Sequence, residues 1–341
     1  MTQTHKPRIG ITIGDLNGVG PEVVMKALAD NRLHNIVTPV IYGSAKVISF
    51  YKKLLNIEEF NYSQTRNKGQ FAPKSINVVN CWEDTFDITP GRASKQSGKA
   101  SFIALQQACQ ELKEGVIDAL VTAPIDKQSI HSDEFPFKGH TEYLTQFFGA
   151  TENLMFMVSD TVRIGLVTEH IAVKDIATSI TRERIEAKLR TMENSLRKDF
   201  GIAKPRIAVL GLNPHAGDMG LIGQEDEQII KPLIADQKGK GKLVYGPYAS
   251  DGFFASGNHS KYDGILAMYH DQGLIPFKLI AFEEGINFTA GLPVVRTSPD
   301  HGTGYSIAGK NMASESSLRS AIYRAADIFR NRFEPSTEKS V

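Results

Sequence analysis

Cysteine is scarce in this chain: only Cys81 and Cys109 occur among 341 residues, far apart in sequence. Two isolated thiols build neither a disulfide framework nor a cysteine-rich metal cluster. An excess of either charge is missing too. Lys and Arg total 39 against 38 for Asp and Glu, a formal net charge of +1, so no basic surplus marks nucleic acid or lipid as the main partner. No apolar run approaches the roughly 20 residues that span a bilayer. The opening Met1-Thr-Gln-Thr-His-Lys-Pro7 also lacks the apolar core of a secretion signal. These absences lead to the expectation of a soluble cytoplasmic protein with no nucleic-acid and no membrane partner.

What is present is ordinary globular composition, 41% hydrophobic and 23% charged, in a chain long enough for a large core and two domains or lobes. Short apolar runs alternate with amphipathic stretches. Arg8–Ile13, Val40–Tyr42, Ile76–Val79, Ala119–Thr122, Met155–Val158, Val162–Val167, Ile207–Leu210, Val244–Asp251, Ile265–Tyr269, Asn287–Thr289 and Pro293–Arg296 read as strands. Helices are expected from Pro21, from Ser44 to Leu55, from Gly98 to Leu112, after Glu142, from Thr181 to Lys198, from Glu225 to Ala235, and up to Phe333. Residues 58–74 show no period and read as irregular, and the tail after Pro335 is polar. The alternation predicts an α/β fold with a largely parallel sheet.

The first turn, Gly14-Asp-Leu-Asn-Gly-Val-Gly20, follows a strand and precedes a helix opened by Pro21. It lacks the third glycine of a dinucleotide fingerprint and the lysine of a phosphate loop. A tight turn is the minimum reading, with Asp15 either functional or simply its cap.

Three histidines stand just past apolar strands: His170, His215 and His270. Ligands bind in the crevice beyond the carboxyl ends of such strands, and three neutral imidazoles suit a divalent metal with an open position. His5, His34, His131, His259 and His301 lack that setting and read as surface or hydrogen-bonding residues. A second set, His140, Thr141, Lys278, Asn287 and Arg296, combines the donors that a phosphate requires. Asp251 and Asp271 are the acids placed to orient a histidine or to take a proton.

Seven motifs carry a resemblance that covers nearly the whole chain: Gly14-Asp-x-x-Gly-Val-Gly-Pro-Glu22, Thr122-Ala-Pro-Ile-x-Lys127, Gly139-His-Thr-Glu142, Thr168-Glu-His170, Asn213-Pro-His-Ala-Gly217, Tyr269-His-Asp-Gln-Gly273 and Ser298-Pro-Asp-His-Gly-Thr-Gly304. Together they resemble the 4-hydroxythreonine-4-phosphate dehydrogenase family of pyridoxal phosphate synthesis, within the isocitrate and isopropylmalate dehydrogenase superfamily. The resemblance implies two α/β/α lobes with a central cleft. Residues 1–135 plus 285–341 would form the cofactor-binding lobe, and 136–284 the metal, substrate and dimerisation lobe. It implies a homodimer whose sites are shared between subunits. The metal would lie on His170, His215 and His270, with zinc expected first and magnesium or cobalt as alternatives. A phosphorylated hydroxy amino acid would lie on His140, Thr141, Lys278, Asn287 and Arg296. NAD or NADP would lie on Asp15 and on the loop holding His301, Gly302, Gly304 and Gly309. Two positions depart from the family pattern: Leu16-Asn17 replaces proline and a small residue, and Gly252 replaces threonine after Asp251.

The implied reaction oxidises a secondary alcohol to a 3-keto acid, which loses carbon dioxide to give 3-amino-2-oxopropyl phosphate. Asp251 or Asp271 would be the base. Alternative readings are a dehydrogenase of threonate or erythronate 4-phosphate, a metal-dependent hydrolase, and a phosphometabolite-binding protein without catalysis.

Overall fold

Strands and helices alternate along the computed structural model, which describes residues 6–65, 68–83 and 86–333. His5 and the tail from Pro335 lie outside the described residues. In chain order the elements begin with β1 (Arg8–Thr12), α1 (Gly20–Leu28), β2 (Thr38–Gly43), α2 (Ala45–Leu54), β3 (Tyr62–Thr65), β4 (Ile76–Asn80), α3 (Lys95–Lys113), β5 (Ala119–Thr122), α4 (Lys127–Ile130) and α5 (His140–Phe147). There follow β6 (Leu154–Val158), β7 (Arg163–Leu166), α6 (Ile176–Ser179), α7 (Arg182–Lys198), β8 (Ile207–Leu210), α8 (Lys231–Gly239), β9 (Val244–Tyr248), α9 (Ser250–Ala255), β10 (Gly264–Ala267), α10 (His270–Ala281) and β11 (Ile286–Ala290). The chain closes with β12 (Arg296–Pro299) and α11 (Ser316–Phe333). Among the described residues no helix is long and apolar enough to cross a membrane.

These residues form two compact units, one reaching to Ala150 and resuming at Leu292, the other Thr151–Gly291. The sequence reading divided the chain at 135/136 and 284/285, so His140 and Thr141 fall with the first unit rather than the second.

In the first unit the strands run in the order β3-β4-β2-β1-β5-β12, and every neighbouring pair is parallel. All residues of β2 and β5 are buried, as strands covered on both faces require. Tyr42, Phe102, Leu105, Phe135, Tyr143 and Leu144 form the centre of one core cluster. The Tyr42 hydroxyl, buried there, donates to Glu111 Oε2 at 2.6 Å, which satisfies a polar group that would otherwise cost free energy. Helix α3 lies close against α4 because position 98 is glycine: a Cβ there would stand 2.1 Å from the Ser129 carbonyl oxygen.

In the second unit the order is β11-β6-β7-β10-β8-β9. The pairs β11–β6 and β6–β7 are antiparallel. The pairs β7–β10, β10–β8 and β8–β9 are parallel. Met157, Ile164, Leu166, Ala208, Ile265 and Phe277 belong to its core.

Several expected boundaries moved. Strand β3 falls in the stretch read as irregular; four residues at the edge of a sheet are too few to display a period. Helix α3 starts before Gly98 because Ser94 caps it, accepting from Ser97 N at 3.0 Å. The run expected at Pro293–Arg296 pairs instead as Arg296–Pro299, since Pro293 has no N–H to give a ladder. Strand β10 stops at Ala267, and His270 opens a helix after the extended Tyr269. The expected helix from Glu225 begins as a π-helical turn over Asp226–Ile230 before α8.

Gly98→Ala should force α3 away from α4. The expected loss is about 1–3 kcal/mol, the usual size of an overpacking defect, measured by urea unfolding. Wild-type stability would mean that the helix pair yields without strain.

Candidate functional site

In the second unit the parallel order β7-β10-β8-β9 brings four carboxyl ends to one edge. Their exits carry His170 after β7, His270 after β10, His215 after β8 and Asp251 after β9. The His170 and His270 rings lie 5.6 Å apart between centroids. His270 Nδ1 is 2.7 Å from Asp271 Oδ1, an arrangement that leaves Nε2 as the nitrogen available to a ligand. Among the described residues no three His, Cys, Asp or Glu side chains gather closely enough to hold a metal ion. One chain thus brings His170 and His270 together, while His215 does not complete a set of three with them.

His215 is exposed and sits in an unusual turn. Residues 215–219 all have positive φ, 54° at His215 and 41° to 84° along the rest. Only Gly217 among them is a glycine. Asp226, fully buried, holds the approach to this turn: its carboxylate accepts from Leu212 N at 2.9 Å and from Asn213 N and Nδ2, both at 3.0 Å.

The two acids differ from the expectation in detail. Asp251 is exposed in the first turn of α9 rather than at the end of a strand. Asp271 is exposed and engages the neighbouring imidazole. Lys278 is exposed on α10, and Asn287 lies on β11 with its Oδ1 buried and without a hydrogen-bond partner. An orphaned acceptor is a costly feature unless a ligand supplies the donor.

The first unit holds a cationic cluster. Arg296 opens β12 opposite Leu120 of β5 and is 3% exposed. Its Nε and Nη2 donate to Thr122 Oγ1 at 3.1 and 2.5 Å. Burial pushes its pKa down to about 10, so the guanidinium stays charged at neutral pH. His140, first residue of α5, has its Nε2 buried without a partner. Burial, then the positive charges of Arg296 and Lys127, hold its pKa well below the ordinary imidazole range. Neutral imidazole, buried guanidinium and the neighbouring Thr141 are donors suited to an anion. Lys127 belongs with them: it is exposed at the start of α4, and a Cβ on Gly139 would lie 3.7 Å from its Cε. Sequence reasoning carried Lys127 within the Thr-Ala-Pro-Ile-x-Lys motif, which was the available signal, and left Lys127 and Thr122 out of the anion set.

The glycine-rich loop after β12 is pinned to the first unit at several points. Val19 N donates to the Thr303 carbonyl at 2.8 Å, an approach that glycine at 18 permits, since a Cβ there would lie 2.8 Å from the same oxygen. Asp15 is fully buried. Its Oδ1 accepts from Asn17 N at 2.8 Å, and its Oδ2 from Ser97 Oγ and the Tyr305 hydroxyl, both at 3.0 Å. Burial raises its pKa, against those hydrogen bonds, which lower it. Asp15 therefore caps its own turn and anchors the loop. Further on, Glu22 Oε1 accepts from Ala313 N at 2.9 Å, and Lys26 donates to the Ala313 carbonyl at 2.9 Å. His301 and Gly302 are exposed, and among the described residues no atom beyond its chain neighbours lies within 4 Å of a Cβ placed on Gly302. Gly304 and Gly309 take φ of +52° and +72°, which glycine adopts freely. The departure at Asn17 has a local account: its amide donates to Arg92 O at 2.8 Å and accepts from Thr89 N at 2.7 Å, tying the turn at Pro90-Gly91 to the first loop.

Residues 35–325 match the family described as pyridoxal phosphate biosynthetic protein PdxA. The chain is 51% identical to a 4-hydroxythreonine-4-phosphate dehydrogenase of Bacteroides thetaiotaomicron, over 97% of this chain and 91% of that protein. It is 41% identical to the enzyme of the same name from a Sulfurihydrogenibium species, over 95% and 99%. A crystal structure of 4-hydroxythreonine-4-phosphate dehydrogenase from Klebsiella pneumoniae superposes with a TM-score of 0.83 at 35% identity, covering 96% of this chain and 99% of that one.

The depressed His140 pKa has a signed consequence. Once unfolded, this imidazole titrates near about 6.5, so below that pH the unfolded chain takes up a proton that the folded chain refuses. Stability from this source is present above about pH 6.5 and declines as pH falls. His140→Gln should lose less stability than wild type between pH 7.5 and 5.5 in paired urea titrations. Identical pH dependence would show that His140 protonates equally in both states.

Proposed function

The chain belongs to the family of pyridoxal phosphate biosynthetic protein PdxA, and on that footing we propose that it is an NAD-dependent, metal-dependent 4-hydroxythreonine-4-phosphate dehydrogenase acting in the cytoplasm. The observation that carries the metal-site reading is the row of imidazole-bearing exits on the adjacent parallel strands β7, β10 and β8. Imidazoles, one of them backed by a carboxylate, are a donor set that suits zinc or a similar divalent ion. When bound, the metal supplies Lewis acidity toward the substrate hydroxyl, and NAD or NADP supplies the hydride acceptor.

The chain's own residues take the remaining tasks. In the first unit Arg296, His140, Thr141 and Lys127 are the charged or neutral donors for a phosphate; in the second unit Lys278 and Asn287 are candidate substrate contacts. Asp251 or Asp271 accepts the hydroxyl proton as the alcohol carbon gives up its hydride. The resulting 3-keto acid loses carbon dioxide to leave 3-amino-2-oxopropyl phosphate. The open backbone at Gly302, on a loop pinned at Thr303, Tyr305 and Ala313, supports a dinucleotide lying along residues 301–309.

A second copy of the chain completes the metal site in this reading. Ile275, Leu279 and Phe282 of the α10 region are 59%, 83% and 74% exposed at the i, i+4, i+7 spacing of one helical face. A solvent-facing apolar stripe of that kind favours burial against a partner. It begins five residues after His270, so an interface formed there would lie beside the imidazoles.

The test follows NADH absorbance with 4-phosphohydroxy-L-threonine and added zinc or cobalt. Turnover should require dinucleotide and metal together, and His270→Ala should lose bound metal and at least 100-fold of kcat in parallel, on the order of the contribution expected of a metal-held site. Product formation without dinucleotide, or full rates in the metal-free variant, would overturn the reading.

A further inference from the structure

Gln272, two residues past His270, is 8% exposed, and both atoms of its amide are bonded inside the protein. Its Oε1 accepts from Met268 N at 2.6 Å, on the exit of β10. Its Nε2 donates to the Gly211 carbonyl at 2.6 Å, the first residue beyond β8, and to Ser250 Oγ at 2.7 Å, the first residue of α9 beyond β9. The set fixes the amide's orientation, because a flip would oppose N–H to N–H and oxygen to oxygen. The fourth exit joins through the same backbone: the Met268 carbonyl accepts from Thr168 N at 3.1 Å and Thr168 Oγ1 at 2.8 Å, just ahead of His170.

We propose that Gln272 is a positioning residue for the divalent-metal site, holding the strand exits that deliver His270, His215 and Asp251 in one register. The inference rests on the metal reading given above. A glutamine needed only to stabilise α10 would bond within its own helix. This one reaches two other strand exits, which lie 61 and 22 residues away in sequence. Ligating imidazoles depend on outer groups of this kind for orientation, and losing one typically weakens metal binding roughly 10- to 100-fold. The usual outer group bonds the imidazole itself. Here the bonds go to the backbone and a hydroxyl that carry the ligands, so the whole edge moves if the amide is lost.

Gln272→Glu keeps the side chain's volume and its acceptor toward Met268 N but removes both donors, and it sets a carboxylate against the Gly211 carbonyl. In the full-length protein, titration with cobalt(II) should give a dissociation constant at least tenfold weaker than wild type, with an altered ligand-field absorption spectrum. Ser250→Ala, which removes one bond and leaves the amide in place, should weaken cobalt binding only a few-fold while retaining the fold. Should Gln272→Glu not fold, Gln272→Met takes its place, with the same expectation. Wild-type cobalt affinity and spectrum in a folded Gln272 variant would overturn the proposal while leaving the metal reading intact, provided His270→Ala abolishes cobalt binding. Failure of the wild-type protein itself to bind cobalt would remove the metal reading and this inference together.

Discussion

Parallel hydrogen-bonded pairing is the constraint on which the second unit depends. Once β7, β10, β8 and β9 run side by side in one direction, their carboxyl ends must share an edge. The register then fixes how far each exit can lie from its neighbours: Ala267 stands opposite Leu166, and Leu266 opposite Val209. Residues as distant in sequence as 170, 215 and 270 are brought to one margin by ladder bonds alone. The side chains need only be placed a few residues beyond each strand. That explains how chemistry can be distributed over a hundred residues without any compact motif, and why each segment considered alone looks unremarkable.

The first unit answers a different electrostatic problem. A guanidinium at 3% exposure loses most of its hydration, and desolvation lowers the Arg296 pKa accordingly. The site does not add another charged imidazole to that cation. His140 is kept neutral by burial and by the same positive neighbours, which spares the cluster further self-repulsion while retaining an imidazole as a donor. Such a cluster suits an anionic guest, because an incoming phosphate pairs with the buried guanidinium and supplies acceptors to buried donors. Asp15 is the counterpart: its carboxyl group is buried and stabilised by an N–H and two hydroxyls, one of them from Tyr305.

Legibility in the sequence followed the physics of each feature. The α/β class and nearly every strand could be read because buried parallel strands are short, continuous apolar runs, as in Ala119–Thr122 and Ile207–Leu210. Strand β3 could not, since Tyr-Ser-Gln-Thr at a sheet edge has no apolar signature. The end of β10 and the start of β12 moved by a few residues, because hydrophobicity does not mark where ladder pairing stops: Tyr269 is still extended although β10 ends at Ala267. The histidine-bearing exits were visible as polar clusters after apolar runs. The roles of Gln272 and Asp226 were not, since a buried polar side chain shows its purpose only through partners remote in sequence. Lys127 was visible but ambiguous, as an exposed lysine is usually a solvated one. Membership in a family of similar proteins, evident from seven scattered motifs, carried information that no single spacing did.

The turn that bears His215 shows why such remote partners matter. Left-handed backbone costs about 1–2 kcal/mol at each non-glycine residue, and His215, Ala216, Asp218 and Met219 all adopt it. Gly217 adopts that conformation freely and Asp218 tolerates it, but His215, Ala216 and Met219 do not favour it. The buried Asp226 carboxylate fixes the backbone that leads into the turn, accepting from Leu212 N and from Asn213 N and Nδ2. Strain maintained in this way tends to sit where a side chain must be presented in a conformation the chain would not choose. Here that side chain is His215, carried at the exposed end of β8, one strand away from the strand that presents His270.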